Sequence, residues 1–354
     1  MLKSLISASL GKDSKVTPIW FMRQAGRYLP EYREIRSKNK DFIQFILNSD
    51  AAAEVTIQPL KRFDLNAAII FSDILIVPYA MGVDVKFIEN VGPVITPVEK
   101  FINIDKEKQN DVFSKINKSI SIVSKETTDK DIAMIGFAGA PWTVMCYMIE
   151  GKLSKNFQKV RSFYISNPSL WEKIIDQLIE STIEYLIGQI EAGAEVIKLF
   201  DSWAGAVPHR DFEKLIIDPT KKITKRIKDL YPNIPIIGFP RGAGVMYVDY
   251  AKKAGVDVLA IDQNIPIENS RSLKAITEIS NETIYNKFPP KPILNEKEDD
   301  FFETKKSFNI ENENFPQRRR KTIEGIQRRK NKEEDSEDDR IKDEKIEKMK
   351  GENE

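Results

Sequence analysis

The chain has 354 residues, a length that suits one large domain or two of ordinary size. Its 55 Lys and Arg residues nearly balance 54 Asp and Glu residues, and the net charge of +1 argues against general binding to nucleic acid or membrane surfaces. One cysteine, Cys146, and one histidine, His209, exclude an internal disulfide and a zinc site of the usual ligands. No apolar run reaches the ~20 residues of a membrane helix, so we expect a cytoplasmic globular protein.

Short apolar runs recur along the chain and alternate with segments of helical periodicity, such as the stretch 171–187. Continuous apolar runs of this length are typical of strands that are buried on both faces of a parallel sheet. The predicted strands lie at 19–22, 67–71, 132–137, 196–200, 234–239 and 256–261, and a weak seventh lies at 282–286. The alternation predicts an α/β fold with a parallel sheet.

Each predicted strand is followed by polar, small or aromatic residues. The first is followed by Arg23 and Arg27, the second by Asp73, the fourth by Ser202 and the fifth by Arg241. Functional groups at the carboxyl ends of successive strands are the layout of a (β/α)8 barrel, which builds its active site at that face. A doubly wound open sheet is the alternative, because it also binds ligands at the carboxyl ends.

The most informative candidates are the two arginines of the segment 18–30. Each guanidinium stays charged at physiological pH and binds carboxylates through a planar fork. Gly26 permits a close approach of the backbone, and Pro30 prevents a long helix through the turn. The segment therefore predicts a pocket for a polyanion, either a polycarboxylate or a phosphate, whereas surface salt bridges of Arg23 and Arg27 are the alternative.

Four further residues have both a functional and a structural interpretation. Asp73 is either a helix N-cap or a carboxylate that faces the interior of the barrel. Tyr147 is a core residue or a polar group in a pocket, and Ser202 is a site residue or the cap of the next helix. His209 stands at the predicted start of a helix, and we interpret it as a surface or capping residue.

Two long segments carry a resemblance to a known family. Residues 18–27 resemble the first signature of the uroporphyrinogen decarboxylase family, and residues 136–151 resemble its second signature throughout. The segments 71–75, 200–205 and 238–242 are also similar to the family and occur in the same order. The resemblance covers roughly residues 10 to 270.

This resemblance implies a distorted (β/α)8 barrel, or TIM barrel, that is usually a homodimer and uses neither a cofactor nor a metal. The implied reaction removes the four acetate carboxyl groups of uroporphyrinogen III and gives coproporphyrinogen III in haem biosynthesis. Cobalamin-related methyltransferases share the barrel, but some need a zinc site of His and Cys, which makes them a disfavoured alternative.

The resemblance also implies roles for individual residues. Asp73 would accept hydrogen bonds from the pyrrole N–H groups and lie opposite a protonated pyrrole, while Arg23 and Arg27 would bind carboxylates and one of them would donate a proton. Tyr147 and Ser202 would hydrogen-bond a substrate carboxylate. The implied catalytic residues are Asp73, Arg23 and Arg27, and the implied substrate-binding residues are Arg23, Gln24, Ala25, Gly26, Arg27, Asp73, Tyr147 and Ser202.

The last quarter of the chain departs from the family. It contains neither the Leu-Gln-Gly-Asn-Leu-Asp-Pro motif nor the Asn-Leu-Gly-His-Gly motif that the family carries near its C-terminus. We therefore expect an incomplete decarboxylase domain at 1–290, with the last two strands missing or unrecognisable, and a charged tail at 291–354. In this tail, 25 of the 39 residues from 316 to 354 are charged, which predicts disorder or a solvated helix.

Three explanations of this departure stay open. A frameshift that replaced the last quarter of the chain is the preferred one. A homologue that binds porphyrinogen weakly, or is unstable, without turnover is the second. A divergent enzyme completed by a partner is the third.

Overall fold

The structure is a computed structural model that describes residues 2–14, 16–88, 91–152 and 154–265. The weak strand at 282–286, the two missing strands and the disordered tail are predictions that lie outside these described residues. The division into a domain at 1–290 and a tail at 291–354 likewise stays a prediction.

Seven strands form two sheets in the described residues. They are β1 (Ala67–Ile69), β2 (Val85–Ile88), β3 (Gly92–Ile95), β4 (Ala133–Gly139), β5 (Val196–Asp201), β6 (Ile236–Pro240) and β7 (Val258–Leu259). The larger sheet is parallel throughout and has the order β1-β4-β5-β6-β7, and β2 and β3 form a separate antiparallel hairpin. Five of the six predicted strands are thereby confirmed.

The strand order distinguishes between the two predicted architectures. A doubly wound sheet reverses its strand order at a switch point, whereas a (β/α)8 barrel adds each new strand beside the previous one. Within the described residues the five parallel strands follow one another in chain order without a reversal. The order is that of a (β/α)8 barrel, and the carboxyl ends of all five strands lie at one face.

The connections between the parallel strands are mainly helical. The helices are α1 (Ser4–Ser9), α2 (Pro30–Lys38), α3 (Phe42–Leu47), α4 (Ser49–Arg62), α5 (Ile76–Ala80), α6 (Lys106–Thr127), α7 (Pro141–Glu150), α8 (Gln158–Ser166), α9 (Pro168–Glu191), α10 (His209–Phe212), α11 (Asp218–Leu230) and α12 (Tyr247–Lys253). The periodic stretch 171–187 lies in α9, whose apolar face is buried as predicted. His209 is exposed at the start of α10, in agreement with its interpretation as a surface residue.

Local sequence explains where the longest helices begin. Asp105 caps α6, because its carboxylate accepts hydrogen bonds from the backbone N–H groups of Glu107 and Lys108. Helix α9 begins with Pro168, whose fixed φ suits the first helical position. Every residue of β4 is buried, as expected for a strand that is covered on both faces.

The predicted strand at 19–22 is wrong. The backbone N–H of Ile19 donates to the side-chain oxygen of Asn66, and the Ile19 carbonyl accepts a hydrogen bond from the backbone N–H of Asn66. The N–H of Phe21 donates to the Gln24 side chain. The segment is extended, but side chains satisfy its backbone, and no ladder joins it to a strand in the described residues. Ile19 and Phe21 are 54% and 60% exposed, so the run is apolar without being a buried strand.

Candidate active site

A cleft of about 2110 Å³ opens at the carboxyl ends of the parallel strands. Pockets for ordinary small ligands occupy roughly 300–1,000 Å³, so this cleft suits a larger molecule. The structure brings all of the predicted site residues together in its lining: Arg23, Gln24, Ala25, Gly26, Arg27, Asp73, Tyr147 and Ser202. A smaller cavity of about 570 Å³ lies among residues that precede β1 and β4, and it contains none of them.

The loop that carries the two arginines is fixed by Gln24. The buried side-chain amide of Gln24 accepts a hydrogen bond from the N–H of Phe21 at 3.0 Å and donates one to the carbonyl of Ala67 at 3.0 Å. Because Ala67 is the first residue of β1, these bonds tie the loop to the sheet. A backbone bond from Leu29 to Gly26 at 3.0 Å closes the turn that follows.

The side chains of Arg23 and Arg27 are exposed and line the cleft. Neither forms an ion pair within the part of the chain that the structure describes, so the salt-bridge interpretation is wrong there. The charge of Arg23 instead acts on Asp73, where it partly offsets the rise in pKa that burial causes. Two guanidiniums without a protein carboxylate are available to a ligand anion.

Asp73 lies in the lining of the cleft, whereas its interpretation as a helix N-cap is wrong, because the N-cap of α5 is Leu75 and no side chain caps that helix. One carboxylate oxygen, Oδ1, accepts a hydrogen bond from the N–H of Leu75 at 2.9 Å, at the entry of α5. Burial raises the pKa of Asp73 to about 6, and the Leu75 hydrogen bond and the charge of Arg23 oppose this shift. At neutral pH the cleft therefore contains a carboxylate that is poorly solvated.

Tyr147 and Ser202 approach the cleft from neighbouring connections. Tyr147 lies on α7 and is half-buried, its ring centroid stands 6.3 Å from that of Trp203, and burial raises the pKa of its phenol. Ser202 directly follows β5, and no side chain caps the 3₁₀ helix that comes next, so the capping interpretation of Ser202 is wrong. Both residues line the cleft.

Buried polar side chains support the backbone beside Ser202. The hydroxyl of Thr143 donates to Asp201 Oδ1 at 2.5 Å and accepts a hydrogen bond from the N–H of Trp203 at 3.0 Å. Burial raises the pKa of Asp201 to about 7, and its hydrogen bond with Thr143 opposes the shift. Because Asp201 and Trp203 flank Ser202, this network fixes the position of the serine.

Lys198 was not indicated by the motifs. It is buried beside aromatic rings, with Nζ 4.6 Å from the ring centroid of Trp20, 5.1 Å from that of Phe200 and 5.2 Å from that of Phe239. Burial lowers the pKa of Lys198 to about 7. The alternation of Lys198 and Phe200 along β5 is the sequence signal that places these two side chains on one face.

The lining of the cleft is strongly cationic. Among the described lining residues there are six cationic side chains and one carboxylate, that of Asp73. The six are Arg23, Arg27, Arg33, Arg36, Lys40 and Arg241. Such a lining attracts polyanions, and its single carboxylate offers a counter-charge to a cation that forms during a reaction.

None of the helices in the described ranges is long and apolar enough to cross a membrane.

Comparisons with known proteins agree with the family resemblance. The family model described as uroporphyrinogen decarboxylase (URO-D) matches residues 2–301, a longer range than the resemblance over roughly residues 10 to 270. A uroporphyrinogen decarboxylase of Rickettsia bellii is 45% identical over 270 residues, covering 76% of this chain and 79% of the relative. One from Rickettsia massiliae is 43% identical over 275 residues, covering 76% and 78%.

Among solved structures, a methyltransferase from Methanosarcina mazei is similar in fold. The TM-score is 0.51, and the match covers 78% of this chain and 97% of the methyltransferase. At 16% sequence identity the likeness extends to the fold alone.

Proposed function

Because the chain belongs to the uroporphyrinogen decarboxylase family, we propose that it converts uroporphyrinogen III to coproporphyrinogen III by removing four acetate carboxyl groups. The family folds as a (β/α)8 barrel, and the five parallel strands form part of one. The chain is accordingly a carboxy-lyase. The observation that carries the proposal is a poorly solvated carboxylate, Asp73, in a large cleft where every other charged lining residue within the described ranges is a cation.

The chemistry of the reaction explains why such a carboxylate is needed. Protonation of a pyrrole ring gives a cation, and this cation accepts the electron pair when the bond between the acetate methylene and its carboxyl group breaks. Carbon dioxide leaves, a proton is added to the methylene carbon to form a methyl group, and the ring loses its extra proton. Each acetate therefore consumes one proton and releases one carbon dioxide.

Asp73 stabilises the cation in this sequence. Its carboxylate is held by the N–H of Leu75, and burial weakens its solvation, so its interaction with a positive ring is stronger than it is in water. The pyrrole N–H groups donate hydrogen bonds to the same carboxylate. Asp73 thereby both orients the macrocycle and favours the transition state over the neutral ground state.

The arginines bind the substrate through its carboxylates. Arg23 and Arg27 extend from a loop that Gln24 ties to β1, and both line the cleft that contains Asp73. One of them is also the proposed proton donor. The hydroxyl groups of Tyr147 and Ser202 hydrogen-bond a further substrate carboxylate and restrict the rotation of the ring within the cleft.

The proposal includes a homodimer in the cytoplasm. The family resemblance supports the dimer. The lone cysteine, Cys146, is buried as a free thiol, which suits a reducing compartment.

Substitution of Asp73→Asn tests the proposed function directly. We expect the variant to lose about 100-fold or more in kcat with its fold retained, since Asn cannot carry the counter-charge. Wild-type activity should also fall as the pH drops through about 6, where Asp73 takes up a proton. Asp229→Asn, at an exposed position on α11, is the matched control and should behave like the wild type.

The assay measures coproporphyrinogen formation from uroporphyrinogen III by the purified 354-residue chain. Turnover in Asp73→Asn within tenfold of wild type would refute the role of Asp73. Absence of Asn-Leu-Gly-His-Gly from the sequence leaves a second candidate, a homologue that binds porphyrinogen without turnover. Saturable binding of uroporphyrin by a wild-type chain that gives no product would identify that alternative.

A further inference from the structure

Five of the six cations of the cleft come from one short part of the chain. They lie between residues 23 and 40, in the arginine loop and along or just after α2. This part is fixed beside β1, because Gln24 bonds to Ala67 and Ile19 bonds to Asn66. The positive charge from residues 23–40 is therefore concentrated on the β1 side.

Arg241 is the exception, because it directly follows β6. In the sheet order β1-β4-β5-β6, this strand is three positions from β1. Three positions in an eight-stranded barrel correspond to about 135° of its circumference. Arg241 thus reaches the cleft from the far side of the barrel, beside Ser202 rather than beside Arg23 and Arg27.

The backbone of Arg241 is held firmly by the neighbouring connection. Its N–H donates to the carbonyl of Asp201 at 3.0 Å, and its carbonyl accepts a hydrogen bond from the N–H of Gly205 at 2.9 Å. Gly205 and Gly242 are so close that a Cβ on Gly205 would lie 2.5 Å from the Gly242 carbonyl oxygen. The side chain therefore projects from a fixed point.

The guanidinium itself is available to a ligand. It forms no hydrogen bond or ion pair with another residue in the described ranges of the chain, where the bonds of Arg241 are made by its backbone. The carboxylate of Asp262 attracts it, but Asp262 Oδ2 is already engaged by the N–H of Gly242 at 2.6 Å and the hydroxyl of Tyr247 at 2.7 Å. Arg241 is exposed, so an incoming carboxylate has access to its planar fork.

We propose that Arg241 is a second carboxylate-binding position of the cleft, which binds a side chain of the macrocycle that points away from Arg23 and Arg27. This inference rests on the proposed function, in which the substrate carries eight carboxylates around its ring. A macrocycle that is bound only on the β1 side can rotate about that contact. A contact on the β6 side fixes it at two points and aligns each acetate with Asp73.

Substitution of Arg241→Gln tests this position. We expect KM for uroporphyrinogen III and the dissociation constant for uroporphyrin I to rise at least tenfold, because a charge-assisted bidentate contact is lost. Arg241→Lys retains the charge without the fork, and it should recover part of the affinity. Arg226→Gln removes an equal charge from an exposed position on α11, outside the cleft, and should leave both constants unchanged.

The measurements separate this inference from the proposed function. A purely structural role would lower the melting temperature of Arg241→Gln, yet the structural contacts of Arg241 are made by its backbone and survive the substitution. If the wild type forms no product, the proposed function fails, and fluorescence binding of uroporphyrin I still compares the variants. Constants for Arg241→Gln within twofold of the wild type would overturn the inference in either case.

Discussion

The two sides of the cleft are built in different ways. On the β1 side, exposed charged side chains stand on a loop that is fixed by one buried amide, that of Gln24. On the β5–β6 side, the connections are fixed by close backbone contact at Gly205 and Gly242 and by the buried pair Thr143 and Asp201. The first side supplies most of the charge, and the second supplies a fixed frame.

This difference teaches how a large cleft combines adaptability with precision. Substrate carboxylates change in number as acetates are removed, and the group of exposed cations on one side offers several alternative partners for those that remain. The backbone-locked side keeps Ser202 and Arg241 at constant positions. Perturbing each side should therefore give different consequences for stability and for substrate affinity.

The largest effect is expected for Gly205→Ala. The added Cβ would meet only backbone atoms of Gly242, with the carbonyl oxygen 2.5 Å and the carbonyl carbon 2.8 Å away, so the two connections must separate. We expect the free energy of unfolding to fall by about 3 kcal/mol, as for severe overpacking. Urea denaturation followed by circular dichroism measures it.

Gly26→Ala is the matched control from the β1 side. Its Cβ would lie 3.3 Å from the Tyr28 ring, an exposed side chain that is free to move. We expect a loss below about 1 kcal/mol. Equal losses for the two variants would contradict the distinction between the two sides.

A smaller effect is expected for Gln24→Ala. The substitution leaves the N–H of Phe21 and the carbonyl of Ala67 without their partner, and we expect a loss of about 2 kcal/mol in the free energy of unfolding. KM should rise as well, because the loop with Arg23 and Arg27 is then no longer tied to β1.

Gln44→Ala supplies the control for Gln24→Ala. Gln44 lies in α3 outside the lining of the cleft, so KM should not change. An unchanged KM for Gln24→Ala would show that the loop is fixed by other contacts.

The sequence predicted the parallel sheet well, because continuous apolar runs identify buried strands without knowledge of their partners. It also grouped Asp73 and Ser202, since residues that follow parallel strands share one face. The two arginines reach the same cleft although the segment before them is not a strand. The strand prediction at 19–22 was wrong, because an apolar composition does not reveal that the side chains of Asn66 and Gln24 accept hydrogen bonds from the backbone of this segment.

Other features depend on long-range packing that no local pattern records. The three rings around Lys198 come from separate segments, so its burial becomes visible only in three dimensions. The hairpin of β2 and β3 is only partly buried and carries too weak an alternation to predict. Gln24 was expected to bind substrate, whereas its amide is engaged in fixing the loop, so its contribution to binding is proposed to be indirect.

A pH dependence of stability is expected on the β5–β6 side. The pKa of Asp201 is raised to about 7 by burial, above its ordinary value near 3.8, so the folded chain binds this proton more tightly than the unfolded chain does. Between about pH 4 and pH 7 the native state therefore holds more protons, and stability falls as the pH rises. One proton contributes a slope of at most about 1.4 kcal/mol per pH unit.

Asp201→Asn removes this proton from the native state. We expect the free energy of unfolding of the wild type to decline relative to that of Asp201→Asn as the pH rises from about 4 to about 7, with no further divergence at higher pH. Urea denaturation at a series of pH values measures the difference. Asp229→Asn should stay parallel to the wild type, because its side chain is exposed. Parallel curves for Asp201→Asn would mean that the carboxyl group beside Ser202 is ionised in the fold throughout, and that Thr143 stabilises its charge.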